Sequence, residues 1–149
     1  MLSRREQILR ECEARLAIHL QLVPRRNPVV PPTPEDMPYI ALYELNDVVK
    51  ETKERPHGQL IHQTRELTLV VEFYVVGSSE DNVTYEFSEE YPKLRAALLK
   101  EQDGLSLSSL NGLCINIKEL AATKIFRPVT GQAVIGIGVS FLITYIETL

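Results

Sequence analysis

The sequence predicts an α+β fold in which two helices pack on one four-stranded, mostly antiparallel sheet with long, projecting strands. Three observations predict it. The chain opens with an apolar stripe at helical spacing, carries a long alternating run near its middle, and closes on two β-rich segments joined by a turn. Its 149 residues suit one domain spanning 1–149, and 44% hydrophobic against 24% charged residues is enough to bury a core.

The first element is a helix. Ser3 can cap it and Glu6 stands three positions later, the spacing at which each side chain bonds the other's free backbone N–H. Ile8, Leu9, Cys12, Leu16, Leu20 and Val23 form its stripe, and Pro24, which cannot donate the next bond, ends it. Arg4, Arg10, Glu11 and Arg15 fall off the stripe and are expected in solvent. Six of the nine prolines lie in 24–38, so that stretch reads as a stiff, extended connector. A short strand follows over 39–45, rich in aromatic and branched residues.

Residues 46–59 alternate in charge and end near Pro56 and Gly58, which reads as a long polar connection or hairpin tip. The clearest strand in the chain follows. Ile61, Leu67, Leu69, Val71, Phe73 and Val75 alternate with His62, Thr64, Glu66, Thr68, Glu72 and Tyr74. Fully extended, 60–76 spans roughly 55 Å, more than a domain of this size needs, so the strand is expected to project beyond its own core. Gly77-Ser78-Ser79 breaks it. A second helix is expected over 89–101, with Ser88 as cap, Pro92 in its first turn, Leu94, Ala97 and Leu98 buried, and Gly104 as its stop.

Two strands complete the sheet. The first opens at Leu113 and ends near Lys124-Ile125-Phe126, and Pro128-Val129-Thr130-Gly131 has turn chemistry. In the second, Ile135, Ile137, Val139, Phe141, Ile143 and Tyr145 share one face. Gly136, Gly138, Ser140 and Thr144 form the other, small enough for a further layer to approach.

The residues offer no recognisable chemistry. His19 sits beside the helical stripe as a structural histidine, and His57 and His62 do not have a zinc spacing. Glu80, Asp81, Glu86, Glu89 and Glu90 lack the alternating ligands and central glycine of a calcium loop. Gly136-Ile137-Gly138 starts like a dinucleotide fingerprint but lies inside a strand with no third glycine. Asn82-Val83-Thr84 matches a glycosylation sequon, which matters only in a secreted chain. Cys12 and Cys114, far apart and without a CxxC, read as reduced core thiols of a cytosolic protein. The first residues lack the apolar stretch of a secretory signal, and the longest apolar run, 133–146, is too short to span a bilayer. A net charge of -4, with Arg25 and Arg26 isolated from aromatic residues, argues against a general nucleic-acid binder. No catalytic, cofactor or metal residue is assigned, so the expectation is a structural or interaction protein rather than an enzyme.

Four stretches in order resemble the tail terminator proteins of long-tailed bacteriophages and related tail-like particles. They are the opening RREQIL, the connector running into EDMPYIALYE, RELTLVVEFYV, and the closing RPVTGQAVIGIGVSFLITYIE. The resemblance implies a small α+β unit that forms a homohexameric ring on the head-proximal end of the tail tube. There it ends tube polymerisation and offers a docking surface to the head-side connector or stopper protein. Its implied partners are further copies of itself, the tube protein and that head-side protein. DNA passes through the channel without sequence-specific binding, no membrane is involved, and the product is a virion part assembled in the host cytoplasm. The resemblance carries over no catalytic residue. By position alone, 46–59 and 127–132 match connections that reach neighbours, which makes Val48, Val49, Lys50, Lys53, Arg55, His57, Arg127 and Thr130 the candidate interface residues. The segment 46–59 is expected to be mobile in an isolated subunit and ordered by a neighbour. A stand-alone α+β module that binds a ligand or regulates a partner as a dimer is the other reading these residues allow.

Overall fold

A computed structural model describes residues 2–30, 32–53, 61–77, 80–99, 110–129 and 132–148, with the backbone alone for 77, 80–88, 126–129 and 132–133. Helix α1 spans Arg4–Leu20 and buries Ile8, Leu9, Cys12, Leu16 and Leu20. Ser3 Oγ accepts the Glu6 N–H at 3.2 Å. The reciprocal bond expected of Glu6 is replaced by ion pairs, because its carboxylate takes Arg10 at 3.0 Å and Arg26 at 2.8 Å. The helix stops at Leu20, short of Pro24, because Gln21 turns into the left-handed region at φ 55°. Val23 is consequently exposed rather than part of the stripe. Arg15, expected in solvent, is buried, with Nε donating to Glu11 Oε1 at 2.9 Å. A long side chain can bury its stem and still deliver its guanidinium to a carboxylate one turn away.

The sheet has five strands rather than four, in the order β1-β2-β3-β5-β4. The added strand, β1 (Arg25–Arg26), pairs in parallel with Ala41 and Leu42. Its flanking prolines, Pro24 and Pro28, stand outside the paired positions, so a two-residue edge strand survives in a proline-rich connector. Asn27 then clamps it, donating its backbone N–H to Leu42 O at 2.8 Å and its side-chain amide to Glu44 Oε2 at 2.8 Å. A 3₁₀ turn, Pro34–Asp36, leads into β2.

Strand β2 (Tyr39–Lys53) is twice the expected length, and the polar stretch 46–53 belongs to it. The rest of that stretch, 54–59, lies outside the described residues. β3 (His62–Gly77) runs as the alternation predicts and pairs with β5 (Gln132–Thr148) at every position, from His62 opposite Thr148 to Gly77 opposite Ala133. β4 (Asn116–Val129) forms the other edge and starts three residues later than expected, after a turn through 110–113. Helix α2 spans Glu80–Leu99, so Ser88 and Pro92 lie inside it rather than at its start. Its predicted end, 100–101, and the Gly104 stop are outside the described residues.

Both helices cover one sheet face. Leu67, Leu69, Val71 and Phe73 of β3 join Ile135, Ile137, Val139, Phe141, Ile143 and Tyr145 of β5 in one core with the helical stripes. On the opposite face Tyr39, Ala41, Tyr74 and Val134 make a smaller cluster, closed over by Met37. A side chain, not a further layer, therefore fills the space above Gly136, whose absent Cβ would lie 2.7 Å from the Tyr74 ring.

Candidate assembly surface

The candidate surface follows from how far each strand continues. Beyond Leu67 the residues of β2 and β3 are half-buried or exposed, while their backbone pairing continues to Lys53 opposite His62. β5 accompanies them to Thr148, so the projection is a three-stranded tongue made of 46–53, 62–66 and 146–148, rooted on the buried Tyr145. The tongue's charged pattern fits a stretch of half-buried and exposed residues, which imposes no strict apolar alternation.

β2 enters the tongue through two register shifts. One separates Glu44 from Asp47, and the other separates Val49 from Glu51. Each inserts an extra residue into β2, which bends the strand and resets which way its side chains point. After the first shift Asp47 stands opposite the core residue Leu67, on the helix side of the sheet. Val48 stands opposite Glu66 and is 53% exposed, and Val49, opposite Arg65, is 42% exposed. Lys50 occupies the second shift, its Nζ 3.7 Å from Glu66 Oε1. Lys53 lies in the outermost row, where His62 pairs with the Thr148 hydroxyl at 3.0 Å.

Asp47 is the hub of the tongue's base. Its Oδ1 accepts Arg65 Nε at 2.9 Å, and its Oδ2 accepts the Tyr145 hydroxyl at 2.6 Å and Arg5 Nη1 at 3.2 Å. Arg5 Nε also donates to Glu44 Oε1 at 3.2 Å, and Arg65 Nη1 to Gln63 Oε1 at 2.9 Å. The Asp47 side chain retains 7% of its exposure. Burial, then its bond to the Asp47 carboxylate, raises the Tyr145 hydroxyl well above the usual phenol range. The Asp47 bond likewise raises Arg65. Sequence reasoning missed this hub, because its members come from positions 5, 47, 65 and 145 and no spacing links them.

Of the eight predicted interface residues, the structure describes the backbone of five, at opposite ends of the sheet. Val48, Val49, Lys50 and Lys53 are on the tongue. The β4–β5 hairpin points the opposite way, with Arg127 opposite Val134 and Val129 opposite Gln132. Arg55, His57 and Thr130, and the side chain of Arg127, fall outside what the structure describes. Beside the tongue, a pocket of about 330 Å³ is lined by Arg4, His62, Cys114, Ile115 and Ile146. Ile115 and Ile146 are exposed, as is Leu2 on an adjoining hollow that shares Arg4 and Ile146.

Among the described residues no buried side-chain nitrogen or oxygen lacks a hydrogen-bond partner. His19 Nδ1 lies 2.9 Å from the Arg15 carbonyl oxygen, which can only accept, so this nitrogen carries the proton and donates. Cys12 and Cys114 are buried and form no disulfide, and burial pushes the Cys114 thiol up to about 11. Among the described residues no three or more of His, Cys, Asp and Glu are grouped to hold a metal ion. Among them, too, no helix is long and apolar enough to cross a membrane.

No protein-family model and no curated protein matches the chain. Among solved structures it is similar to a chain of the virion of a native gene transfer agent (GTA) particle. That match has 17% identity, covers 93% of this chain and 90% of the other, and has a TM-score of 0.44. At that TM-score the overlap does not establish a shared fold.

Proposed function

We propose that this protein is a structural component of a phage-like tail, acting as a homohexameric ring on the head-proximal end of the tail tube. In this reading it ends tube growth and presents a docking surface to the connector or stopper protein on the head side, while DNA passes through its channel without sequence-specific contacts. It works by assembly, and no residue has a catalytic role.

The observation that carries the reading is the tongue. Three paired strands continue past the core and carry Val48 and Val49, which are 53% and 42% exposed. In this reading the two exposed valines on an ordered projection are where another protein docks. The four resembling sequence stretches supply the kind of protein. Mixing the purified protein with growing tail tubes tests the proposal by electron microscopy. Tubes of uniform length with a ring on one end are expected. Unaltered tube growth with no bound protein, from a chain that stays a monomer or dimer, would instead favour the stand-alone module.

A further inference from the structure

We propose that Asp47 is the positioning residue of the tongue, fixing the angle at which this assembly surface leaves the body of the subunit. The inference rests on the tongue being the assembly surface and adds how that surface is held. Each of the two bulges bends and twists β2, so the strand changes direction where it enters the tongue. Asp47 lies between the two shifts, after Glu44–Asp47 and before Val49–Glu51. Its carboxylate is held by donors from three other elements: Arg5 of α1, Arg65 of β3 and Tyr145 of β5. Arg5 and the buried Tyr145 belong to the body of the subunit and Arg65 to the tongue, so one rigid carboxylate ties the two together, whereas a single partner would leave it free to pivot.

The charges around the hub are arranged to hold it closed. Arg5 and Arg65 face Asp47, Glu44 accepts the second donor of Arg5, and Gln63 accepts the second donor of Arg65. Glu44 is tied in turn to Asn27, which is itself bonded to β2, so the hub extends from the connector to β5. The carboxylate is nearly excluded from water, where charge-assisted hydrogen bonds are strongest. The tongue is therefore presented at a set angle before it meets a partner, which removes part of the ordering cost of assembly.

Hydrogen exchange on the full chain, compared between wild type and Asp47→Asn, tests this together with ring formation. The isosteric amide keeps the size of the side chain and removes the charge that holds two guanidinium groups. Amides of 48–53 and 62–66 should exchange at least tenfold faster, those of 69–73 and 137–143 should stay unchanged, and ring formation on tubes should fall at least tenfold. Tyr145→Phe, which deletes one donor and keeps the buried ring, should give a smaller change in the same amides. It also serves if Asp47→Asn does not fold. Equal acceleration across the whole sheet would show a general stabiliser and overturn the proposal, as would unchanged exchange in the tongue. A loosened tongue with normal ring formation would overturn the link to assembly. If wild-type protein forms no ring on tubes, the tail reading fails, while the exchange comparison still decides whether Asp47 sets the tongue.

Discussion

Gly136 shows how one missing side chain shapes the sheet. A Cβ there would lie 2.7 Å from both Tyr74 Cδ1 and Cε1 and 3.1 Å from the Phe73 carbonyl oxygen. The Tyr74 ring is buried and its hydroxyl is tied to Glu72, so it has little room to swing aside. Alanine normally improves a strand over glycine by a fraction of a kcal/mol, but here the clash outweighs that gain. Gly136→Ala is expected to lower stability by about 1–2 kcal/mol, read as a lower urea midpoint at unchanged slope. A higher midpoint would show that the ring moves freely. Glu6 makes a second case. Its bonds to Arg26 first, and then to Arg10, hold its carboxyl below the usual range. A depressed folded pKa adds stability above the unfolded value and loses it as pH falls through the folded one. The advantage of wild type over Glu6→Gln should therefore be complete above about pH 5 and fade below about pH 4. Melting curves across that range check it, and a gap that persists at low pH would reject the ion pairs as its source.

Among the elements, β2 departs furthest from its sequence signal. Tyr39 to Leu42 are buried and announce themselves, whereas 46–53 has charge on both faces and no period to read. Pairing with β3 makes it a strand, and such a long-range partner leaves no local mark. The inward residues of β3 and β5 were legible because burial on one face imposes strict alternation. β1 was hidden by its flanking prolines, and Pro92, which suits a first helical turn, leaves open in the sequence whether helix precedes it through 83–87, where α2 in fact begins at Glu80. Of the candidate surface, the valines and lysines of the tongue were legible and the Asp47 hub was not, since its members lie far apart in sequence. Replacing 50–57 by a short glycine turn tests the tongue as an element. The cut removes the outer pairs Glu51–Thr64, Thr52–Gln63 and Lys53–His62 and keeps Val49–Arg65 with the hub beneath it. The shortened protein should melt within a few degrees of wild type and lose ring formation. Normal rings from it would make the outer tongue a spacer.

For the whole molecule, the proposed function requires an interface between different surfaces of successive copies, since rotation by such a contact closes a ring, while a two-fold contact stops at a dimer. Light scattering in the presence of tube protein should give a ring mass near six times the 16.9 kDa of one chain. Single copies bound along the tube would reject ring closure. The two hairpins of the sheet bear on what such a ring would be. The tongue leaves one end of the strands and the β4–β5 hairpin leaves the other, and they share no residues. If both hairpins reach beyond the rims of a closed collar, its two sides differ: one side presents tongues, the other hairpins. Such a collar has a front and a back, like a threaded nut with a flange. A partner that fits one side is turned away by the other, so the order in which parts join is written into the direction of the strands.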